Sequence, residues 1–326
     1  MIDLSVVVPV YRSRETLKPL TSRICSAVEG QGWEFEIVLV DDGSPDDSWN
    51  TIQCIQRENP GRVVAVQLMR NYGQHNAIMC GFRHARGRFV VTMDDDLQNP
   101  PEEIPRLVSA ARDGDFDLVY GIPETKEHAA WRNLGSSLIQ GFYRRVFRLS
   151  NSISSFRLIR RELLDSILSY NLNFTFIDGL LAWNTRRIGQ VAVSHCARHV
   201  GRSGYSLARL LSLALNLFTN FSLMPLQLVS ALGSLAAIAG FLGALVYLGL
   251  YLFKNITVPG YASIIISILV MGGAQLLALG IQGEYLGRLH LNVNRKPQYT
   301  VRQVIETDAS TLLEGQTEGL LSKRFE

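Results

Sequence analysis

The chain has 326 residues, 47% hydrophobic and 19% charged, enough to bury a sizeable core and to hold more than one structural unit. A net charge of +3 with no long basic run argues against a nucleic-acid partner. The four cysteines, Cys25, Cys54, Cys80 and Cys196, are scattered without a C-x-x-C pair, which fits a reduced, cytoplasmic compartment rather than a disulfide framework or a zinc site.

Leu4 to Tyr11 reads as a buried strand closed by Pro9, and the N-terminus enters it at once, leaving no room for a signal peptide. Ser13 to Gly30 carries Leu17, Leu20, Ile24 and Val28 at helical spacing, and Gly30 and Gly32 end it. Glu36 to Ser44 is a second buried strand ending in Asp41, Asp42 and Gly43. Pro45-Asp46-Asp47-Ser48 then supplies capping residues for the next helix. Arg62 to Leu68 is a third strand, followed by Arg70-Asn71-Tyr72-Gly73-Gln74 and a helix through Arg83. A fourth strand begins at Phe89, and Asp117 to Gly121 makes a short fifth. This alternation predicts an α/β fold, a mostly parallel sheet with helices on both faces. Neither G-x-G-x-x-G nor G-x-x-x-x-G-K-[ST] occurs, which counts against NAD enzymes and P-loop ATPases.

The fourth strand is the most informative. Its apolar run, Phe89-Val90-Val91-Thr92-Met93, ends in Asp94-Asp95-Asp96, and Pro100, Pro101, Glu102 and Glu103 then suit the start of a helix. Acids at the carboxyl end of a buried strand stand where open α/β sheets bind ligands. Like charges this close repel, so their pKa values rise or a cation neutralises them. Asp94 and Asp96 point the same way off an extended backbone, as a hard-cation site requires. An acidic loop capping the next helix is the ordinary alternative.

Farther along, Trp131 to Arg148 reads as a basic helix, either a solvated face or one near anionic headgroups. Arg198 to Ser206 is a basic loop, and Leu207 to Leu223 reads as an amphipathic interfacial helix. Leu226 to Phe253 has no charged residue and as a helix runs about 40 Å, against a hydrocarbon core of about 30 Å. After the connector Lys254 to Gly260, Tyr261 to Gln282 is a second span, ended by Glu284. Arg288, Arg295, Lys296 and Arg302 follow it, so the positive-inside rule places both termini in the cytoplasm. The expected layout is a cytosolic catalytic domain over 1–204, an interfacial helix over 205–225, two transmembrane helices over 226–282 and a cytosolic C-terminal segment over 283–326. The tail from Glu306 onward is polar and suggests no function.

Several motifs occur in order: Val8-Pro9-Val10-Tyr11, Val40-Asp41-Asp42-Gly43-Ser44, Arg70-Asn71-Tyr72-Gly73-Gln74, Asp94 to Glu102, Phe156-Arg157-Leu158 and Gly283 to Arg288. In these the chain resembles the polyprenyl-phosphate glycosyltransferases of glycosyltransferase family 2, relatives of dolichol-phosphate mannose synthase and of bacterial undecaprenyl-phosphate glycosyltransferases. The resemblance implies the GT-A nucleotide-sugar-binding fold, joined to amphipathic interfacial helices and a C-terminal two-helix transmembrane hairpin. It implies that Pro9, Tyr11, Glu15, Asp42, Asn71, Gln74, Asp94 and Asp95 bind the nucleotide sugar, with Asp42 accepting from the base. Mg2+ or Mn2+ would sit on Asp94, Asp96 and Gln98, and Arg157, Arg198, Arg202 and Ser203 would meet the lipid phosphate. The catalytic set would be Asp96, Arg157 and Arg202. The activity implied is inverting sugar transfer, from a UDP-sugar with GDP-sugars as the alternative, to polyprenyl phosphate. It would take place at the bacterial inner membrane, in a multi-pass homo-tetramer serving cell-envelope glycan or lipid modification.

This sequence departs from the family at Ser155, where an acid proposed as base is usual, and at Gly204, where Lys is usual. One consequence would be a weakened enzyme or a non-catalytic membrane scaffold. The favoured reading is that a lipid monophosphate, with a second pKa of about 6, is already ionised near neutrality and needs little help from a base. A processive polysaccharide synthase would carry Gln-x-x-Arg-Trp, which is absent, and a transporter would need intramembrane charge.

Overall fold

The computed structural model describes residues 2–123, 153–170, 175–194, 196, 224–253, 261–293 and 297–306. Two compact units emerge, one made of Met1–Ser203 with Pro297–Glu326, the other of Gly204–Lys296. In the first unit lie β1 (Leu4–Val10), α1 (Arg14–Glu29), β2 (Phe35–Asp41), α2 (Ser48–Glu58), β3 (Val63–Leu68), α3 (Gln74–His84) and β4 (Phe89–Thr92). A 3-10 turn over Pro101–Glu103 leads into α4 (Ile104–Asp113), then β5 (Leu118–Pro123), β6 (Arg157–Arg160), α5 (Arg161–Leu168), α6 (Ile177–Asn184), β7 (Ile188–Val193) and β8 (Val301–Ile305).

The strands form one mixed sheet in the order β7-β5-β6-β4-β1-β2-β3-β8. β1 pairs in parallel with β2 and β4, β2 with β3, and β5 with β7. β6 runs antiparallel to β4 and β5, and β8 antiparallel to β3. The central strands are apolar nearly throughout because helices cover both faces. Leu4, Val6, Val8 and Val10 pack with Leu17, Ile52 and Leu107 of α1, α2 and α4. Val7, pointing the other way off the pleat, packs with Ala77, Leu164 and Leu180 of α3, α5 and α6.

Three strands depart from the expected five. β6 has Arg at both ends and β7 holds polar Gln190 mid-strand, so neither shows a long apolar run. β8 belongs to the C-terminal segment that the sequence reading set apart; its Val301 pairs with Leu68 and its Ile305 with Ala65, extending the sheet beyond β3.

The second unit contains α7 (Met224–Phe253) and α8 (Tyr261–Val293). Over Leu226–Gly243 the mean hydropathy is 1.7, and α7 is the one helix among the described residues long and apolar enough to cross a membrane by that measure. α8 continues without a break past Gln282 through Glu284 and Arg288, so two long helices stand where the hairpin was expected, one of them of membrane-crossing hydropathy among the described residues. The expected helices over 131–148 and 207–223, the connector 254–260, the tail beyond 306, and Arg198, Arg202, Ser203 and Gly204 lie outside the described residues.

A polar knot closes the amino ends of the strands. Glu36 of β2 is fully buried; it accepts from Ser5 Oγ of β1 at 2.7 Å, from the Arg86 N–H at 2.5 Å and from Arg86 Nε at 2.9 Å. Arg86 also meets Glu306 at 2.7 Å, beside β8. Removing one partner of such a buried group strands the others. Glu36→Ala should therefore destabilise the protein by roughly 3 kcal/mol, whereas Glu306→Ala, on the water side of the same arginine, should cost less than about 1 kcal/mol. Chemical denaturation of the detergent-solubilised full chain checks both.

Candidate active site

From β1 the chain steps outward to β2 and β3, then returns across β1 to place β4 on its other side. The carboxyl ends of β1 and β4 thus flank the point where strand order reverses, where a crevice opens in such sheets. A cleft of about 270 Å3 lies there. Pro9, Val10 and Tyr11 line it from the end of β1, Asp42 from β2, Asn71, Gly73 and Gln74 from the turn after β3, and Asp94, Asp95 and Asp96 from β4.

The three acids are held differently. Asp94 accepts from Gln74 Nε2 at 2.5 Å on one oxygen and from Ser155 Oγ at 2.6 Å on the other. Its pKa is raised, chiefly by desolvation; the Ser155 hydrogen bond works against the rise and the Asp96 charge adds to it. Asp95 turns toward α1, accepting from the Tyr11 N–H at 3.1 Å and from Ser13 Oγ. Desolvation lifts it to about 6. Asp96 accepts from the Gln98 N–H at 3.2 Å across Leu97, whose φ of 60° is a left-handed conformation that costs a branched side chain strain. Arg12, next to Tyr11, has φ 59° as well, so two such residues flank the cleft.

Asp42 ties the second and third strand ends together. Its oxygens accept from the Tyr72 N–H at 2.7 Å and the Gly73 N–H at 2.9 Å, and desolvation lifts its pKa to about 6. Gly43 makes this approach possible. A Cβ there would sit 2.5 Å from the Arg70 carbonyl carbon and 2.7 Å from the Asn71 nitrogen, and its φ of 65° disfavours any other residue.

Three expectations change. Arg157, expected at the acceptor phosphate, is 1% exposed: it is ion-paired with Asp178, and its Nε donates to Thr92 Oγ1 at 3.1 Å. Tyr120 OH donates to the same Asp178 at 2.9 Å, so this arginine belongs to the core beneath the site. Asp42 lines the cleft as expected and also binds the 72–73 backbone, one donor on each oxygen. Glu15 is exposed on the first turn of α1 and is not among the residues that line the cleft. Gln98 engages through its backbone, its carbonyl accepting from the Cys196 N–H at 2.9 Å, and its side chain is not among the lining groups. Pro9, Tyr11, Asp42, Asn71, Gln74, Asp94, Asp95 and Asp96 do come together.

Nothing in the local pattern marks Ser13 and Asp178 as supports, and Ser155 stands out there only as a departure. Behind Gln74, His75 is buried with no partner for Nδ1 among the described residues; burial lowers its pKa to about 4, so it is neutral and packs its ring 5.7 Å from Phe176.

The sequence pattern of glycosyl transferase family 2 matches residues 5–168, half of the chain. The chain belongs to that family. The matched span runs from β1 through α5 and contains every strand end that builds the cleft. Among solved structures, glucosyl-3-phosphoglycerate synthase from Mycobacterium tuberculosis, in complex with Mn2+, uridine diphosphate and phosphoglyceric acid, is 21% identical with a TM-score of 0.49, over 67% of this chain and 76% of that one. Residues 1–349 of S. aureus TarS are 18% identical with a TM-score of 0.43, over 60% of this chain. The alignment spans 59% of that TarS chain, less than two thirds of its length. Likenesses at this level assign no substrate.

Asp42 and Asp95 hold their protons more tightly when folded, at about 6 against an ordinary 3.8. The stability they contribute is fully present below the ordinary value and is lost as pH rises through about 6. The unfolding midpoint of the ligand-free chain should therefore fall between about pH 5 and about pH 7, and fall less in Asp95→Asn. Thermal denaturation across that range, in one detergent, tests this.

Proposed function

We propose that the protein transfers a sugar, with inversion, from a nucleotide-sugar donor to polyprenyl phosphate at the cytoplasmic face of a bacterial inner membrane. The observation that carries this reading is the convergence of four strand ends on one cleft in a family 2 domain, with Asp94 and Asp95 held there by uncharged donors. A hard divalent cation fits this chemistry. Asp94 and Asp96 offer oxygen ligands at the cleft, as Mg2+ or Mn2+ requires, and these ions keep waters and take the rest of their shell from substrate phosphates. The described residues themselves gather no group of three or more His, Cys, Asp and Glu that could hold a metal.

Asp94 and Asp96 would hold the cation, with Gln98 beside them. When bound, the cation supplies charge neutralisation for the departing diphosphate. Tyr11, 41% exposed at the cleft mouth, offers a ring face to the nucleobase, and Asn71 and Gln74 offer amides to donor hydroxyls and phosphates. A lipid-phosphate oxygen forms the new bond to the anomeric carbon as the bond to the diphosphate oxygen breaks. The nucleoside diphosphate leaves with the electron pair, and no proton need be taken from an acceptor that is already an anion. Arg198, Arg202 and Ser203 are the proposed groups for that phosphate; Arg157, enclosed in the core, is not. UDP is the favoured nucleotide.

Membrane attachment rests on the apolar run of α7, where Leu228, Leu232, Leu235, Ile238 and Phe241 are each more than half exposed. A helix apolar on all sides needs a lipid or protein partner. The second span over 261–282, the cytoplasmic placement of both termini and a homo-tetramer belong to the same proposal.

Radiolabelled UDP- and GDP-sugars, offered with undecaprenyl phosphate to the detergent-solubilised chain, should give a lipid-linked product from one donor. The product should vanish with EDTA and fall at least about a hundredfold in Asp96→Asn. Nucleotide binding without product from any donor would instead favour a non-catalytic scaffold.

A further inference from the structure

Ser155 lies just before β6, and its side chain is engaged at the cleft. β6 runs antiparallel to β4, with Arg157 paired to Thr92, so the residues just before β6 arrive beside the residues just after β4. Ser155 is thereby set against Asp94, to which its hydroxyl donates at 2.6 Å. Its backbone is fixed from below: Thr92 Oγ1 donates to the Ser155 carbonyl at 2.7 Å while accepting from Arg157 Nε at 3.1 Å. Arg157 is in turn ion-paired with Asp178 in the core. On the other side, Gln74 opens α3 directly after Gly73, whose N–H is bound by Asp42. Two donors on separate, well-anchored elements thus meet the two oxygens of one carboxylate.

We propose that Ser155 and Gln74 are positioning residues that fix the Asp94 carboxylate for its cation, Ser155 acting as a neutral donor where an acid would repel Asp94. This rests on the cation site of the proposed function. Each carboxylate oxygen has two acceptor directions, so one donor on each still leaves a lone pair on each for a metal. Both donors are neutral and lend orientation without cancelling the charge that attracts the cation. A carboxylate at 155 would face Asp94 at hydrogen-bond distance, with Asp96 nearby, and the like charges would push the two side chains apart. Supporting hydrogen bonds of this kind tune ligand orientation and affinity at metal sites. Ser155 is therefore in use, and its presence does not mark a decayed site.

The test is Mn2+ titration of the detergent-solubilised full chain with UDP or GDP present, reading free Mn2+ by its electron paramagnetic resonance signal. Ser155→Ala should weaken Mn2+ binding by about tenfold or more, and Gln74→Ala by a similar factor. Ser155→Thr, which keeps the hydroxyl, should stay within about threefold of the parent. Ser155→Asp, which sets a second carboxylate against Asp94, should bind no more tightly than Ser155→Ala. In turnover, Ser155→Ala should raise the Mn2+ concentration for half activity while leaving the rate at saturating Mn2+ largely intact, a split that general destabilisation would not produce. Parent-like Mn2+ affinity in Ser155→Ala, or tighter binding and faster turnover in Ser155→Asp, would overturn the proposal alone. A parent chain that binds no Mn2+ with either nucleotide would overturn the underlying cation site as well.

Discussion

Charge brought out of water at the end of a buried strand is the constraint on which the cleft depends. β4 delivers Asp94, Asp95 and Asp96 in succession to the point where strand order reverses, and neutral protein donors hold each carboxylate there. The cost is visible in proton affinity: Asp95 and Asp42 sit at about 6, and Asp94 is raised too. Neutral donors spread around the rim (Gln74, Ser155, Ser13 and backbone N–H groups) orient the carboxylates and leave the negative potential in place. A site arranged this way favours a ligand that brings positive charge and further oxygen ligands with it.

The two ends of the sheet divide the work. At the amino ends, Glu36, Ser5 and Arg86 form a satisfied polar knot that ties β1, β2 and the α3–β4 turn together. At the carboxyl ends the chain accepts strain, with left-handed Arg12 and Leu97 and the close backbone approach at Gly43. Strained backbone of this kind persists where the surrounding structure over-determines it, as the satisfied knot and the packed sheet do here. The buried Arg157–Asp178–Tyr120 group lies between, and through Thr92 it carries the rigidity of the core up to Ser155.

The parallel half of the fold was legible because its strands are buried on both faces and so are written as unbroken apolar runs; β1 to β4 fall where Val, Ile and Leu cluster. The site was legible for a related reason, since acids that abruptly end such runs have few structural purposes. What stayed hidden depends on contacts between distant segments. β6 is four residues long with an arginine at each end, and only its pairing with β4 turns Arg157 inward and brings Ser155 to Asp94. Arg157 in isolation reads as an anion-binding group, because nothing nearby in sequence announces Asp178. β8 follows a long helix and pairs with a strand more than two hundred residues earlier, a contact that local pattern cannot encode. Asp42 was placed correctly at the cleft, but its engagement with the 72–73 backbone depends on the loop geometry that Gly43 allows.

The central claim is that the acids at the end of β4 hold a divalent cation together with a nucleoside diphosphate. A crystal of the chain grown with UDP and Mn2+, with data collected to exploit manganese anomalous scattering, tests it most directly. The account predicts one anomalous peak within coordination distance of the Asp94 and Asp96 carboxylates, bridged to the diphosphate. A nucleotide seated in the cleft with no anomalous peak at those carboxylates, or a peak elsewhere, would contradict it.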